Sequence, residues 1–287
     1  MRRIAIATCT ELPVADDDSE LLARALNDLE IEGVPCIWDD PSVAWGDFEM
    51  VVLRSTWDYT AKHAAFLTWV DSLVRVENPA AVVRWNTDKH YLADLASRGI
   101  PVVPTAFPAD GHSLEIPDAD RFVVKPTVGA GSMGAERFER HQRNEALTHM
   151  ANLQQAGRAA MVQPYLELVD DLGETGIIVI DGEPSHAIQK APMLVVSELD
   201  RTGLFRTESI RPREPSAAEV RLTHQALGVA ESLLGLPGPL LYARVDMLPT
   251  PDGPVVIELE LTEPSLFLSH DADASGRFAR ALSRRLR

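Results

Sequence analysis

The chain has 287 residues, enough for one large or two to three small domains, and its 45% hydrophobic content can bury a sizeable core. A net charge of −16 excludes general affinity for nucleic acid or for an anionic membrane surface. Cys9 and Cys36 form no CxxC motif, no apolar run nears the roughly 18 residues that span a bilayer, and residues 4–7 are too short for a signal sequence, so a cytoplasmic protein is expected.

In chain order, residues 4–8 read as a buried parallel strand. Asp16, Asp17, Asp18 and Ser19 open a helix whose Leu21, Leu22, Ala25, Leu26 and Leu29 recur at helical spacing. Residues 34–38 and 50–54 read as further strands, and 61–74 as a helix. The alternation predicts an open α/β unit over residues 1–85, with ligands beyond the carboxyl ends of its strands. Those ends are Thr8-Cys9-Thr10-Glu11 and Arg54-Ser55-Thr56-Trp57-Asp58-Tyr59. Residues 86–120 form a connector, with Asn86 and Thr87 capping a helix that runs through Ser97 and stops at Gly99.

From Arg121 the strands come at short spacing, over 121–125, 135–138, 160–165, 176–180 and 186–191, with one helix over 142–155. That texture predicts an α+β region with antiparallel sheet, divided into a small glycine-loop subdomain over 121–165 and a C-terminal domain over 166–287. An amphipathic helix spans 216–234, and a basic helix closes the chain over 275–287.

Between these helices stand Leu241-Tyr242-Ala243-Arg244-Val245-Asp246-Met247 and Val255-Val256-Ile257-Glu258-Leu259-Glu260, joined by the turn Pro249-Thr250-Pro251-Asp252-Gly253. Strand side chains repeat every two residues, so Glu258 and Glu260 share a face, and a hairpin lets Asp246 face them. Three carboxylates on one face repel unless a cation neutralises them, and oxygen-only ligands suit Mg²⁺ with substrate phosphates. Phe122-Val123-Val124-Lys125-Pro126 leads into Gly129, Gly131, Ser132 and Gly134. The G-x-G-x-x-G match is weak by itself, because Ala135–Phe138 alternates as a strand and no helix opens in the loop. A glycine hairpin over phosphates, charged by Lys125, fits better. Gln163, Tyr165 and Leu166 read as a hinge that faces an adenine, Glu174 as a partner for ribose hydroxyls or the site, Lys190 as a second positive charge, and Arg206 as a group that reaches phosphate.

Taken in order, these segments resemble the ATP-grasp superfamily. The residues that carry the resemblance are 86–89 with Gly99-Ile100-Pro101, Val124-Lys125-Pro126 and its glycine loop, Val162-Gln163-Pro164-Tyr165, Lys190, Arg244 with Asp246, and Glu258 with Glu260. The resemblance implies an α/β and α+β protein of ATP-grasp fold, in which an N-terminal open parallel α/β domain and two α+β subdomains clamp ATP. It implies that Lys89 and Lys125 bind phosphates, that Asp246, Glu258 and Glu260 hold two Mg²⁺ ions, and that Arg244 stabilises the transferred phosphoryl group. Glu260 stands where the family has Asn, and Pro264 comes one residue late, so Glu263 also stays open as the ligand at that position. The stretches 54–59 and 258–267 resemble a subgroup of stand-alone bacterial members that includes the cyclo-ligase of D-cycloserine biosynthesis, which closes O-ureido-D-serine into an isoxazolidinone ring.

The expected activity is therefore an ATP-dependent ligase that makes an acyl phosphate on a small amino-acid-like substrate and then a C–N bond, within one molecule in the cyclo-ligase case. Arg54, Thr56 and Asp58, at a strand end beside the cleft, are expected to hold the substrate, Arg54 through its carboxylate and Asp58 through its ammonium, with Glu263 nearby. Trp57 and Tyr59 fit packing and substrate contact equally. The alternatives are a peptide or amino-acid ligase of other specificity, a nucleotide-binding protein without turnover, and a dinucleotide-dependent oxidoreductase built on residues 129–134. No nucleic-acid or membrane partner is expected, and a homo-oligomer is compatible with the sequence.

Overall fold

The computed structural model describes residues 1–108, 119–191, 202–204 and 209–286. Its first unit alternates strand and helix: β1 (Arg2–Thr8), α1 (Asp17–Asn27), β2 (Ile31–Ile37), β3 (Met50–Ser55), α2 (His63–Ser72) and the two-residue β4 (Val76–Glu77). These strands form one parallel sheet in the order β2-β1-β3-β4. A parallel sheet is covered on both faces, which is why β1 and β3 read as unbroken apolar runs. Ile4 and Ile6 pack with Leu22 and Leu26 of α1, while Ala5, Ala7, Val51 and Leu53 pack with Phe66 and Val70 of α2. At Gly33 a Cβ would meet Ile6 Cδ1 at 2.9 Å, so a side chain there would require the Ile6 side chain to shift. The Asp16 carboxylate caps α1 by accepting from the Ser19 N–H at 3.0 Å.

The helix expected over 61–74 is α2, with a 3₁₀ turn at Trp57–Ala61 just before it. The connector helix expected from Asn86 or Thr87 through Ser97 starts later, as α4 (Tyr91–Ser97), and a separate α3 (Ala80–Asn86) precedes it. Asn86 caps neither. Its Nδ2 donates to the Leu259 carbonyl at 2.8 Å and its Oδ1 accepts from the Leu261 N–H at 2.8 Å. The break lies where the Lys89 N–H leaves the helical pattern and bonds the Thr127 carbonyl at 2.9 Å. Gly99 ends α4 at φ +79°, a conformation that favours glycine.

The second unit is a three-stranded antiparallel sheet, β6-β5-β7, made of β5 (Arg121–Pro126), β6 (Glu136–Glu139) and β7 (Ala160–Pro164). One face is covered by α5 (Arg143–Gln155), through Phe122, Val124 and Phe138 against Ala146, Met150 and Leu153. The third unit begins with a short helix, α6 (Leu168–Leu172), followed by β8 (Glu174–Ile180), β9 (Glu183–Lys190), β10 (Ile210–Pro212), α7 (Ala217–Leu234), β11 (Tyr242–Thr250), β12 (Gly253–Glu260) and α8 (Ala274–Arg285). Its antiparallel order is β10-β9-β8-β11-β12. The α7 start is fixed by a reciprocal capping box between Ser216 and Glu219, and its end by Gly235 at φ +60°. Ile177, Val179, Ala243, Val245 and Leu259 bury one sheet face on α7 and α4. On the other face, Ile178, Ile180 and Tyr242 share a core with Phe278 and Leu282 of α8 and with Ile4 and Leu22 of the first unit. Among the described residues no helix is long and apolar enough to cross a membrane.

Asn78 ties the first and third units together. Its Nδ2 donates to the carbonyls of Tyr242 at 2.8 Å and Leu261 at 2.7 Å, and its Oδ1 accepts from the Leu241 N–H at 2.9 Å. Asn78→Ala leaves these buried backbone groups unpaired, at about 1–3 kcal/mol each. We expect a loss of about 3 kcal/mol and a fall in thermal midpoint of roughly 6–12 °C by scanning calorimetry. A midpoint within about 2 °C of wild type would show that the joint does not depend on this side chain.

Candidate active site

A cavity of about 470 Å³ lies where the three units meet, within the range of small-molecule sites. Trp57 and Tyr59 come from the first unit, Lys89 from the connector, and Lys125 with residues 129–133 from the glycine loop. Gln163, Tyr165 and Leu166 line it at the hinge, Glu174, Lys190, Arg244, Glu258 and Glu260 on the third sheet, and Glu263, Ser265 and Phe267 just beyond β12.

The sheet register builds the charged floor. Asp246 pairs with Glu258 and Arg244 with Glu260 across β11 and β12, so all four share one face, while Val245 and Leu259 point into the core behind. Arg244 donates to Asp246 Oδ1 at 2.9 Å and its Nη2 also pairs with Glu260, so the two carboxylates lie within two hydrogen-bond lengths. Lys190 bridges Glu174 at 2.5 Å and Asp246 at 2.6 Å. Lys89 pairs with Glu258 Oε1 at 2.9 Å and donates to the Gly129 carbonyl at 2.7 Å, which ties the glycine loop to the carboxylate hairpin. Gly176 was not singled out in the sequence, yet it is required here: a Cβ would sit 2.8 Å from Asp246 Oδ1. An isolated glycine within a strand is the signal for such a close approach.

Burial opposes the charge of the floor carboxylates Asp246, Glu258 and Glu260 and of Lys125. It raises Asp246, but Arg244 and Lys190 outweigh it and hold that carboxyl low. Burial likewise opposes Glu258, which Lys89 and Lys125 nevertheless keep below the usual range. Glu260 is raised, by burial first and then by repulsion from Asp246 and Glu258, which Arg244 only partly offsets. Lys125 is pushed down to about 8 by burial, with Lys89 and Lys190 adding to the fall and Glu258 resisting it. The repulsion of Glu260 by Asp246 and Glu258, the all-oxygen donor set and the cavity beside it fit a hard divalent cation such as Mg²⁺. Among the described residues, no three His, Cys, Asp or Glu side chains converge to hold a metal unaided. Asp246 is 1% exposed, lies beneath the cavity wall, and has its oxygens on Arg244 and Lys190.

Three substrate expectations are corrected, because Arg54, Thr56 and Asp58 do not line the cavity. Arg54 is fully buried in the seam between units, where its Nη2 donates to the Pro264 carbonyl at 2.8 Å and it stacks over Tyr242 and Phe278. Thr56 is fully buried, and Asp58 accepts from Trp38 Nε1 at 2.7 Å and Lys62 Nζ at 2.9 Å. The alternating neighbours Trp57 and Tyr59 face the cavity instead. At the hinge, the Gln163 side chain is turned away to Thr105 at 2.8 Å, and Tyr165 is flanked by Arg121 and Arg137, each 5.0 Å from its ring. Gly131, Ser132 and Gly134 all have positive φ, which shapes the glycine loop as a tight turn. Arg206 lies outside the described residues. Phe267, given no role from sequence, packs 5.4 Å from the Arg244 guanidinium.

A parallel α/β unit, a glycine-loop lid and a carboxylate-bearing antiparallel sheet closing on one cleft define an ATP-grasp protein, an ATP-dependent ligase forming C–N bonds. Residues 4–86 match the model of the D-cycloserine synthetase DcsG N-terminal domain. The chain is 38% identical to the cycloserine biosynthesis protein DcsG of Streptomyces lavendulae, over 98% of each chain. It resembles the crystal structure of D-cycloserine synthetase DcsG with TM-score 0.90 at 36% identity, over 99% of this chain and 100% of that one. A RimK-domain ATP-grasp protein from Sphaerobacter thermophilus (TM-score 0.68, 19% identity, 98% and 99% covered) shares the fold. So does a D-alanine–D-alanine ligase from Bacillus anthracis (0.65, 14%, 100% and 97%). At those identities the likeness shows the fold alone. The chain belongs to the D-cycloserine synthetase DcsG family.

The depressed Lys125 sets a pH signature. A lowered lysine loses its charge as pH rises through about 8, so phosphate binding that depends on it weakens above that point. Wild-type affinity for ATP–Mg²⁺, followed by calorimetry, is expected to fall between pH 7.5 and 9.5, and Lys125→Arg to flatten that fall, because arginine stays protonated to about pH 12 or beyond. Parallel pH profiles for the two proteins would remove Lys125 from the phosphate contacts.

Proposed function

We propose that this chain closes O-ureido-D-serine into D-cycloserine at the expense of ATP. The observation that carries the reading is the relationship to a D-cycloserine synthetase along the whole chain, including the segments that wall the cavity. Lys89 and Lys125 hold the nucleotide phosphates, and the glycine loop closes over them with its N–H groups. The backbone of residues 164–166 faces the adenine. Asp246, Glu258 and Glu260 would hold two Mg²⁺ ions, Asp246 by giving up a hydrogen bond to Arg244 or Lys190. Bound there, Mg²⁺ supplies neutralisation of charge on the β- and γ-phosphates.

The substrate carboxylate oxygen attacks the γ-phosphorus as the bond to ADP breaks. Arg244 stabilises the charge that develops on the transferred group. The oxygen-bound ureido nitrogen then attacks the acyl carbon, phosphate leaves with its electron pair, and the nitrogen sheds its proton. The ring nitrogen still carries the carbamoyl group, so release of D-cycloserine also requires its hydrolysis, with water as co-reactant. Holding nucleophile and acyl carbon within one molecule makes the ring-forming step unimolecular.

The test is ADP and phosphate release with O-ureido-D-serine, with D-cycloserine identified by mass spectrometry. Wild-type protein is expected to form all three products. Glu258→Gln is expected to lower kcat by about a hundred-fold or more, through loss of a metal carboxylate, while keeping a cooperative thermal transition. No ADP release with O-ureido-D-serine, from protein that turns over another amino acid, would replace this substrate and leave the ligase class in place.

A further inference from the structure

The cavity carboxylates are not equivalent. Glu258, Glu260 and Glu174 each contact a cation, namely Lys89, Arg244 and Lys190. Among the described residues no cationic side chain lies within ion-pair distance of Glu263, although it lines the same cavity. It is nevertheless firmly placed. The Glu263 carbonyl accepts from Trp57 Nε1 at 3.0 Å, and the next carbonyl, that of Pro264, accepts from the buried Arg54 at 2.8 Å. Tyr59 lines the cavity with Glu263 and interacts with its carboxyl, and the Tyr59 ring is stacked on Phe66 at 4.9 Å. A carboxylate fixed in a cleft with no counter-charge is the complement of a cation that arrives with the ligand.

We infer that Glu263, steadied by Tyr59, binds the primary ammonium of the substrate and so selects an amino acid over a plain carboxylic acid. The inference rests on the proposed function for the identity of the substrate. Charge complementarity sets the orientation. Lys89, Lys125 and Arg244 attract phosphate and carboxylate, while Glu263, three residues beyond Glu260, attracts the ammonium on the adjacent carbon. Burial pushes the Glu263 carboxyl up to about 7, against the pull of Lys89 and Tyr59, and an incoming ammonium would supply the missing positive charge.

The experiment compares kcat/KM for ADP release with O-ureido-D-serine and with its desamino analogue, 3-(ureidooxy)propanoic acid. Wild-type protein is expected to prefer the amine-bearing compound. In Glu263→Gln that preference should shrink by about ten- to a hundred-fold, the range for one lost charge-assisted contact, and Glu263→Asp should keep more of it. Equal losses on the two compounds would mark a structural role and overturn the inference. If wild-type protein releases ADP with neither compound, the proposed cyclisation falls. The ammonium site is then judged by calorimetric binding of D-serine and of 3-hydroxypropanoate to the protein with ADP and Mg²⁺. A preference for D-serine that Glu263→Gln abolishes would uphold the site, and equal binding of both by wild-type protein would overturn it.

Discussion

The arrangement depends on how one stretch, the end of β12 and residues 261–268 beyond it, is held on the side where no strand pairs with it. Buried backbone without a ladder partner must satisfy its polar groups elsewhere. Here side chains supply almost every partner. The Leu259 carbonyl accepts from Asn86 and Tyr91, that of Leu261 from Asn78, that of Thr262 from Tyr242, and that of Glu263 from Trp57. Arg54 takes the Pro264 carbonyl, Arg244 that of Ser265, and His186 lies 2.8 Å from that of Leu266. The Asp18 carboxylate accepts from the N–H groups of Leu266, Phe267 and Leu268, each at 2.7 Å. These partners come from both larger units and the connector between them, so the segment can occupy its course only when those parts are correctly docked.

The same logic explains the dense array of buried charge. Moving a carboxylate out of water is costly, and pairing offsets that cost only when the remaining oxygens are also bonded. Asp246 meets this condition through Arg244 and Lys190, and Glu258 in part through Lys89. Glu260 does not, which is why its carboxyl is raised although Arg244 touches it. The floor is therefore internally neutralised but poised. Lys89 bridges a carboxylate and the glycine loop, and a nucleotide with its cation offers new partners to both signs of charge.

The hairpin was the most legible part of the sequence, because the period of two fixes which side chains share a face, and the register obeys it from Arg244 to Asp246. The amphipathic helix now seen as α7 was legible from its spacing and its Ser216–Glu219 cap. The seam was not. Position at a strand end suggested Arg54 and Asp58 as substrate contacts, but nothing local to them reveals a partner 210 positions away, as Pro264 is from Arg54. Asp58 is taken by Trp38, and Asn86 by the segment after β12, for the same reason. Long-range satisfaction of buried polar groups overrides local readings such as a cap or a binding site. The two-residue β4 carries too little pattern to be seen at all.

What is general and what is particular in the site then separate along one short stretch of chain. Glu258 and Glu260 belong to the sheet and face Lys89 and Arg244, whereas Glu263, Ser265 and Phe267 belong to the segment beyond β12 and wall the other part of the cavity. Because the chain is continuous and its carbonyls are pinned, the separation between the two sets is fixed by backbone geometry rather than by flexible side chains. A cyclisation gains most from such fixation, since the reacting atoms must be held near contact distance for the intramolecular advantage to be realised. Trp57 and Tyr59, from the opposite unit, complete this wall, and Trp57 Nε1 bonds the Glu263 carbonyl, so docking of the N-terminal unit and formation of this end of the cavity share one contact.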